Sequence, residues 1–294
     1  MKTAFLIMAH RQPGHLARLL RVLDGDWNTA FIHIDRRVDD RLFKAASPQR
    51  KNILFLERSS RIASRWCGFG SVRAALNLLR AALASGRDFD RFCLLSGADF
   101  PIKSIAHIRE QFNTSTEFIR IARRLGPHDE HEHMQHVRYY HFRDNELLKR
   151  LPRIIPRKLY PGMTLYQGSQ WWALTSGCIR FIMDFVQAHP EYARFQRYFF
   201  CPDEIFFHSL VKNSPFAAHI YHDFASVPAG MDPYSLTEHG CHFVDWKFKG
   251  LTVPKILDGS DLPRLLASPA LFARKFDEQI SRDLILELER CIAA

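Results

Sequence analysis

The first half of the chain alternates short apolar runs with amphipathic stretches, and that alternation narrows the folds open to it more than any other feature. Strand-length apolar runs fall at 3–9, 30–35, 53–56 and 91–96. Between them, 15–23 and 71–83 carry apolar residues at helical spacing, with Val72, Ala75, Leu76, Leu79, Ala82 and Leu83 sharing one face. This β-α-β order predicts an α/β chain with a mostly parallel central sheet flanked by helices. Sheets of that kind bind ligands beyond the C-terminal ends of their strands. Here those ends read Ala9-His10-Arg11, His33-Ile34-Asp35-Arg36-Arg37 and Ser96-Gly97-Ala98-Asp99. An acid for ribose or base, with cations for phosphate, is what a nucleotide pocket needs.

The 294 residues can bury one sizeable core. The formal charge of +10 favours anionic partners: nucleic acid, phosphorylated small molecules or an anionic membrane surface. The chain lacks the interleaved aromatic and basic pattern of a nucleic-acid groove, which ranks that partner last. The apolar start at 4–9 is too short for a signal peptide, and no run approaches the roughly 18 apolar residues of a membrane span, so a cytoplasmic protein is expected. Cysteines 67, 93, 178, 201, 241 and 291 form no C-x-x-C pair, and the reading is six thiols in a reducing compartment.

There is no G-x-G-x-x-G after the first strand and no Walker-type loop. Gly68-Phe69-Gly70-Ser71 opens the helix at 71, either as an anion cradle or as a turn with Ser71 as N-cap. Between 128 and 141, His128, His131, His133, His136 and His141 crowd together with Asp129, Glu130 and Glu132. Such side chains ligate zinc or iron, but His131-Glu132-His133 is not H-E-x-x-H, and a polar solvated loop fits as well. Trp171 and Trp172 follow Gly168-Ser169-Gln170 and precede a helix expected at 176–187; paired indoles either fill a core or stack on sugar rings.

Two stretches carry the strongest chemical signal. In Phe199-Phe200-Cys201-Pro202-Asp203-Glu204-Ile205-Phe206-Phe207, an acidic pair sits among aromatics, and Pro202 is placed to open a helix. The acids either complement the helix N-terminus or, desolvated, have raised pKa values suited to a general base. In Leu271-Phe272-Ala273-Arg274-Lys275-Phe276-Asp277, basic residues are held between apolar anchors, as a diphosphate clamp or as a solvated helix start; a terminal amphipathic helix with Ile280, Leu284, Ile285 and Leu288 follows.

These stretches, with His33-Ile34-Asp35, Trp66/Gly70-Ser71, Leu94-Leu95-Ser96-Gly97-Ala98-Asp99-Phe100-Pro101-Ile102-Lys103 and Gly168-Ser169-Gln170-Trp171-Trp172, resemble in order along the chain the motifs of the core-2/I-branching N-acetylglucosaminyltransferase and peptide O-xylosyltransferase family, glycosyltransferase family 14. The resemblance covers about 3 to 280 and implies one GT-A-like domain over 1–294, nucleotide-binding in 1–120 and acceptor-binding and catalytic in 121–294. It implies inverting transfer from a UDP-sugar, N-acetylglucosamine or xylose, to a hydroxyl of a saccharide or glycoconjugate, with Glu204 as general base and no divalent metal or other cofactor.

By the same resemblance His10, Asp35, Arg65, Ser71, Asp99, Lys255, Arg274 and Lys275 fall on the nucleotide side, and Trp171, Trp172, Asp203 and Trp246 on the acceptor side. Asp88-Phe89-Asp90 spells a metal-binding motif but precedes the fourth strand, at the wrong end of the sheet. The chain departs from the family in its histidine-rich loop and at His242, where relatives carry arginine. The stem, membrane anchor and disulfide pattern of the animal members are also expected to be absent. The expectation is a soluble, bacterial-type enzyme, resting peripherally on an anionic inner membrane.

Overall fold

The computed structural model describes residues 1–126, 134–150, 155–158, 160–225, 238–246 and 254–293. Its strands are β1 (Thr3–Ala9), β2 (Asn28–Ile34), β3 (Ile53–Phe55), β4 (Arg91–Ser96), β5 (Asp99–Pro101), β6 (Glu117–Leu125), β7 (Leu165–Gly168), β8 (Ala173–Thr175), β9 (Ile220–Asp223), β10 (Glu238–His239), β11 (His242–Val244) and β12 (Phe272–Arg274). The four expected strands are β1 to β4, within a residue or two of their predicted bounds.

The central sheet runs β3-β2-β1-β4-β8-β6-β7, with β9 also on β6. Period-two alternation sorts β1 between two cores. Phe5 and Ile7 pack with Leu16, Leu20 and Leu284, from the helices Pro13–Leu23 and Arg282–Ala293; Ala4 and Leu6 pack with Val72, Leu76 and Leu79 of helix Gly70–Leu83. Both faces of these strands are covered, which is why they read as near-continuous apolar runs.

The α/β class with a helix-flanked central sheet is as expected, but the sheet is mixed rather than mostly parallel. β1 to β4 pair in parallel, whereas β8 is antiparallel to both β4 and β6, and β7 is antiparallel to β6. Buried polar side chains fasten this second half. Glu117 of β6 accepts the backbone N–H of Thr175 at 2.8 Å and its hydroxyl at 2.5 Å. Arg91, at the start of β4, donates to the carbonyls of Phe112, Thr114, Thr116 and Ala173. Apolar periodicity finds strands but carries no information on their direction.

Three local expectations are corrected. Helix Gly70–Leu83 begins one residue before Ser71, so Ser71 is not its N-cap and instead donates its hydroxyl to the Gly68 carbonyl at 2.9 Å. Gly70 is required there, since a Cβ would lie 2.9 Å from the Ser64 Cα. Pro202 opens a single 3₁₀ turn, Pro202–Glu204, and the α-helix starts at Phe206. Cys67 and Cys201 are joined in a disulfide across 134 residues of chain, which the absence of a C-x-x-C pattern could not reveal. Such bonds persist in oxidising compartments, against the reducing one expected. Among the described residues no helix is long and apolar enough to cross a membrane.

Candidate active site

A cavity of about 500 Å³ opens at the C-terminal ends of β1, β2 and β4, where a sheet wound this way leaves a crevice. One wall is the turn that carries the acidic pair. Cys201 is in the left-handed region (φ 48°), as is Cys67 (φ 56°), and the Cys201 N–H donates to the Cys67 carbonyl at 3.2 Å beside their disulfide. The Glu204 N–H closes the turn onto the Cys201 carbonyl at 3.0 Å. Asp203 and Glu204 are thereby presented, half-buried, to the cavity.

Burial drives both carboxyls toward the neutral form. It raises Glu204 to about 8, with the neighbouring Asp203 charge adding to the effect and a hydrogen bond from Gln167 opposing it. Asp203 rises to about 6 through burial, tempered by the Ser71 hydroxyl and raised further by Asp144. Adjacent acids of this kind release their protons as a pair. A carboxylate poised near neutrality is suited to take a proton from a reacting hydroxyl.

Another part of the lining is cationic. Register pairs Arg274 of β12 with Asp99 of β5. The Arg274 guanidinium lies 4.1 Å from the Trp171 ring centroid and 3.8 Å from the Asp99 carboxylate. Burial lowers the Arg274 pKa; Lys275, next in sequence, is lowered by burial and by the like charges of Arg11 and Arg274. His10, exposed at the end of β1, is held mainly neutral by partial burial and by Arg11. Arg11, Arg274 and Lys275 thus form a crowded positive group in the same cavity as the acids.

Of the residues singled out in the sequence, His10, Asp35, Arg65, Ser71, Trp171, Asp203, Glu204, Trp246, Arg274 and Lys275 line this one cavity. Three do not. Trp172 is fully buried and packs on Phe207, so it belongs to the core. Asp99 is fully buried, accepting the Ser96 N–H at 2.7 Å with His242 at 3.3 Å; it supports Arg274 from behind. Lys255 turns its ammonium to Asp261 at 2.7 Å, although its backbone lies against that of Lys275.

Asp35 does line the cavity, but it already accepts from the Arg37 N–H, the Arg37 guanidinium twice and the Ser64 N–H, each at 2.9 Å. Burial opposes its ionisation, yet these donors hold it below the ordinary range. Its four acceptor positions are filled. In this arrangement it fastens Arg37 and the 61–65 loop to the wall.

Sequence reasoning left Gln167 out altogether, as an alternate residue of a four-residue strand. Arg11 and Arg37 were legible only as strand-end charges. In the former histidine cluster, His136 and His141 pack against Phe200, and the His141 Nε2 lies 2.9 Å from the Gln135 carbonyl. His128, Asp129, Glu130, His131, Glu132 and His133 lie outside the described residues. Among the described residues no three His, Cys, Asp or Glu side chains are grouped to hold a metal ion. Asp88 of the Asp-x-Asp motif lines a different cavity, with Trp27 and Asn28, at the N-terminal edge of the sheet.

The chain is 27% identical over 98% of its length to a xylosyltransferase of Ciona intestinalis. It is 25% identical over 98% to the xylosyltransferase oxt of Drosophila pseudoobscura pseudoobscura, and 24% over 97% to xylosyltransferase 2 of Mus musculus. It spans about a third of the length of these relatives, 34%, 33% and 33%. Apo mouse xyloside xylosyltransferase 1 superposes with a TM-score of 0.33 at 14% identity, over 75% of this chain and 84% of that one, too distant to bear on function. The model of the Core-2/I-Branching enzymes matches residues 3–262, which take in the cavity's acidic turn, Trp171 and the C-terminal ends of β1, β2 and β4, but not Arg274 and Lys275. The chain therefore belongs to the Core-2/I-Branching enzyme family.

Proposed function

We propose that the protein is an inverting, metal-independent glycosyltransferase that moves a sugar, N-acetylglucosamine or xylose, from a UDP-sugar to a hydroxyl of a saccharide or glycoconjugate. One observation carries this reading: a single cavity sets a carboxyl with a pKa near 8 against a cluster of three cations. The acceptor O–H gives its proton to Glu204 as its oxygen bonds to the sugar C1. The C1–O bond to UDP breaks on the opposite face, and the electron pair leaves with the diphosphate. Arg11, Arg274 and Lys275 stand where they can stabilise that developing charge, a role filled elsewhere by a bound cation. Trp171 and Trp246 would offer apolar faces to the acceptor, with Asp203 beside the base.

The test is turnover of a panel of UDP-sugars, with and without EDTA, by wild type and Glu204→Gln. Preferred turnover of one donor, unchanged by EDTA and reduced ~10²–10⁴-fold in the variant with UDP binding kept, is expected. Full activity in Glu204→Gln would remove the base, and loss of activity in EDTA would remove the cation clamp as the substitute for metal. Binding of a UDP-sugar with no turnover toward any acceptor would leave a binding protein.

A further inference from the structure

Gln167 is almost wholly buried, on β7, and does not itself line the cavity. Its side-chain N–H₂ donates to the Glu204 Oε2 at 3.0 Å, gripping the carboxylate from behind while Glu204 faces the cavity. The other end of the amide, Oε1, is buried without a hydrogen-bond partner among the described residues. An unsatisfied buried carbonyl is destabilising, and an apolar side chain of similar volume would serve packing better. The position of the strand is set independently of this side chain. The adjoining Gly168 permits a backbone approach to β6 so close that a Cβ would lie 1.7 Å from the Arg120 carbonyl. The amide at 167 is thus explained by the carboxylate it meets rather than by the fold.

We propose that Gln167 is a positioning residue: it fixes the Glu204 carboxylate in one orientation and stabilises its charged, proton-accepting form. This rests on the reading of Glu204 as general base. The groups facing Glu204 are Asp203 on its own turn, Arg123 from β6, which is the cross-strand partner of Gln167, and Gln167 itself; Ser71 and Asp144 act through Asp203. Of these, Gln167 supplies the direct hydrogen bond.

The experiment is the pH dependence of kcat/KM in wild type, Glu204→Gln, Gln167→Met and Gln167→Glu. The substrate is whichever of UDP-xylose and UDP-N-acetylglucosamine the wild type turns over, and melting temperatures are measured alongside. In Gln167→Met the acidic limb should move up by about one pH unit, the size of one lost hydrogen bond to a charged group. The high-pH plateau should stay within severalfold, the donor KM should be unchanged, and the melting temperature should not fall. Gln167→Glu, which keeps the shape and adds a like charge, should move the limb further, and it serves as the test if the methionine variant does not fold. An unmoved limb overturns the proposal, as does a loss of activity that is equal at every pH and tracks a lower melting temperature. A wild-type limb that persists in Glu204→Gln overturns the base assignment itself, and the role of Gln167 falls with it; that result differs from the first two.

Discussion

Two cavities of similar size open at opposite edges of the same sheet, about 650 Å³ at the N-terminal ends of the strands and about 500 Å³ at the C-terminal ends. Both are rich in charge, and they differ in how it is arranged. At the N-terminal edge opposite charges and polar groups are paired off: Asp24 takes Arg50 at 3.1 Å and Asn52 at 3.2 Å, and Arg87 donates to the Thr29 hydroxyl at 2.8 Å and the Lys51 carbonyl at 3.0 Å. At the C-terminal edge Asp35 and Arg37 are paired in the same way and Asp99 backs Arg274 at 3.8 Å, but Asp203 stands beside Glu204, and Lys275 is crowded by Arg11 and Arg274. Like charges so crowded are electrostatically unfavourable until a ligand of the other sign arrives. Perturbed ionisation of this kind, rather than volume, is what separates a site from a dent.

The comparison can be broken at either edge. After loss of the base itself, the largest effect is expected at the cationic wall. On the proposed mechanism Lys275→Ala removes a charge that stabilises the leaving diphosphate and should lower kcat/KM by ~10²-fold or more, and steady-state kinetics with the preferred UDP-sugar would show it. An equal loss from alanine at Lys255, which is held by Asp261, would mean the walls have been misassigned.

A stability effect of intermediate size comes from the acidic wall. The folded protein keeps the Glu204 proton up to about pH 8, whereas the unfolded chain releases it near 4.5. Between those values the folded state binds more protons, so stability falls as pH rises. Glu204→Gln lifts that penalty and should melt several degrees above wild type at pH 8.5, on the order of 2 kcal/mol given the opening of the carboxylate to the cavity. The two should coincide at pH 4. The smallest effect belongs to the other edge. Asp24→Asn removes one surface pair, and should change stability by less than ~1 kcal/mol and turnover not at all. A substantial rate loss there would make the N-terminal cavity part of the working site.

Much of this arrangement could be read from the chain, for identifiable reasons. β1, β2 and β4 are covered on both faces, so their apolar runs stand out, and the polar groups that follow each run must emerge at one edge. The acidic turn was visible because two charges among four aromatics are conspicuous. What escaped depends on partners distant in sequence. The direction of β8 rests on Glu117 and Arg91. Both tryptophans are buried, and only packing separates them: Trp172 turns into the core against Phe207, whereas Trp171 borders the cavity under Arg274. Asp35 reads as a ligand for ribose until Arg37 and Ser64 are seen to occupy it. Cys67 and Cys201 are 134 residues apart, and no spacing rule reaches that far.

That last pair also changes what a broken chain would be. Cys67 sits before the helix that packs under β1, and Cys201 immediately precedes the acidic turn. Proteolysis at any peptide bond between them would leave two fragments still covalently one molecule, separable only after treatment with a thiol. A nicked preparation would keep the acidic turn tethered to the N-terminal half and would run as a single species until reduced.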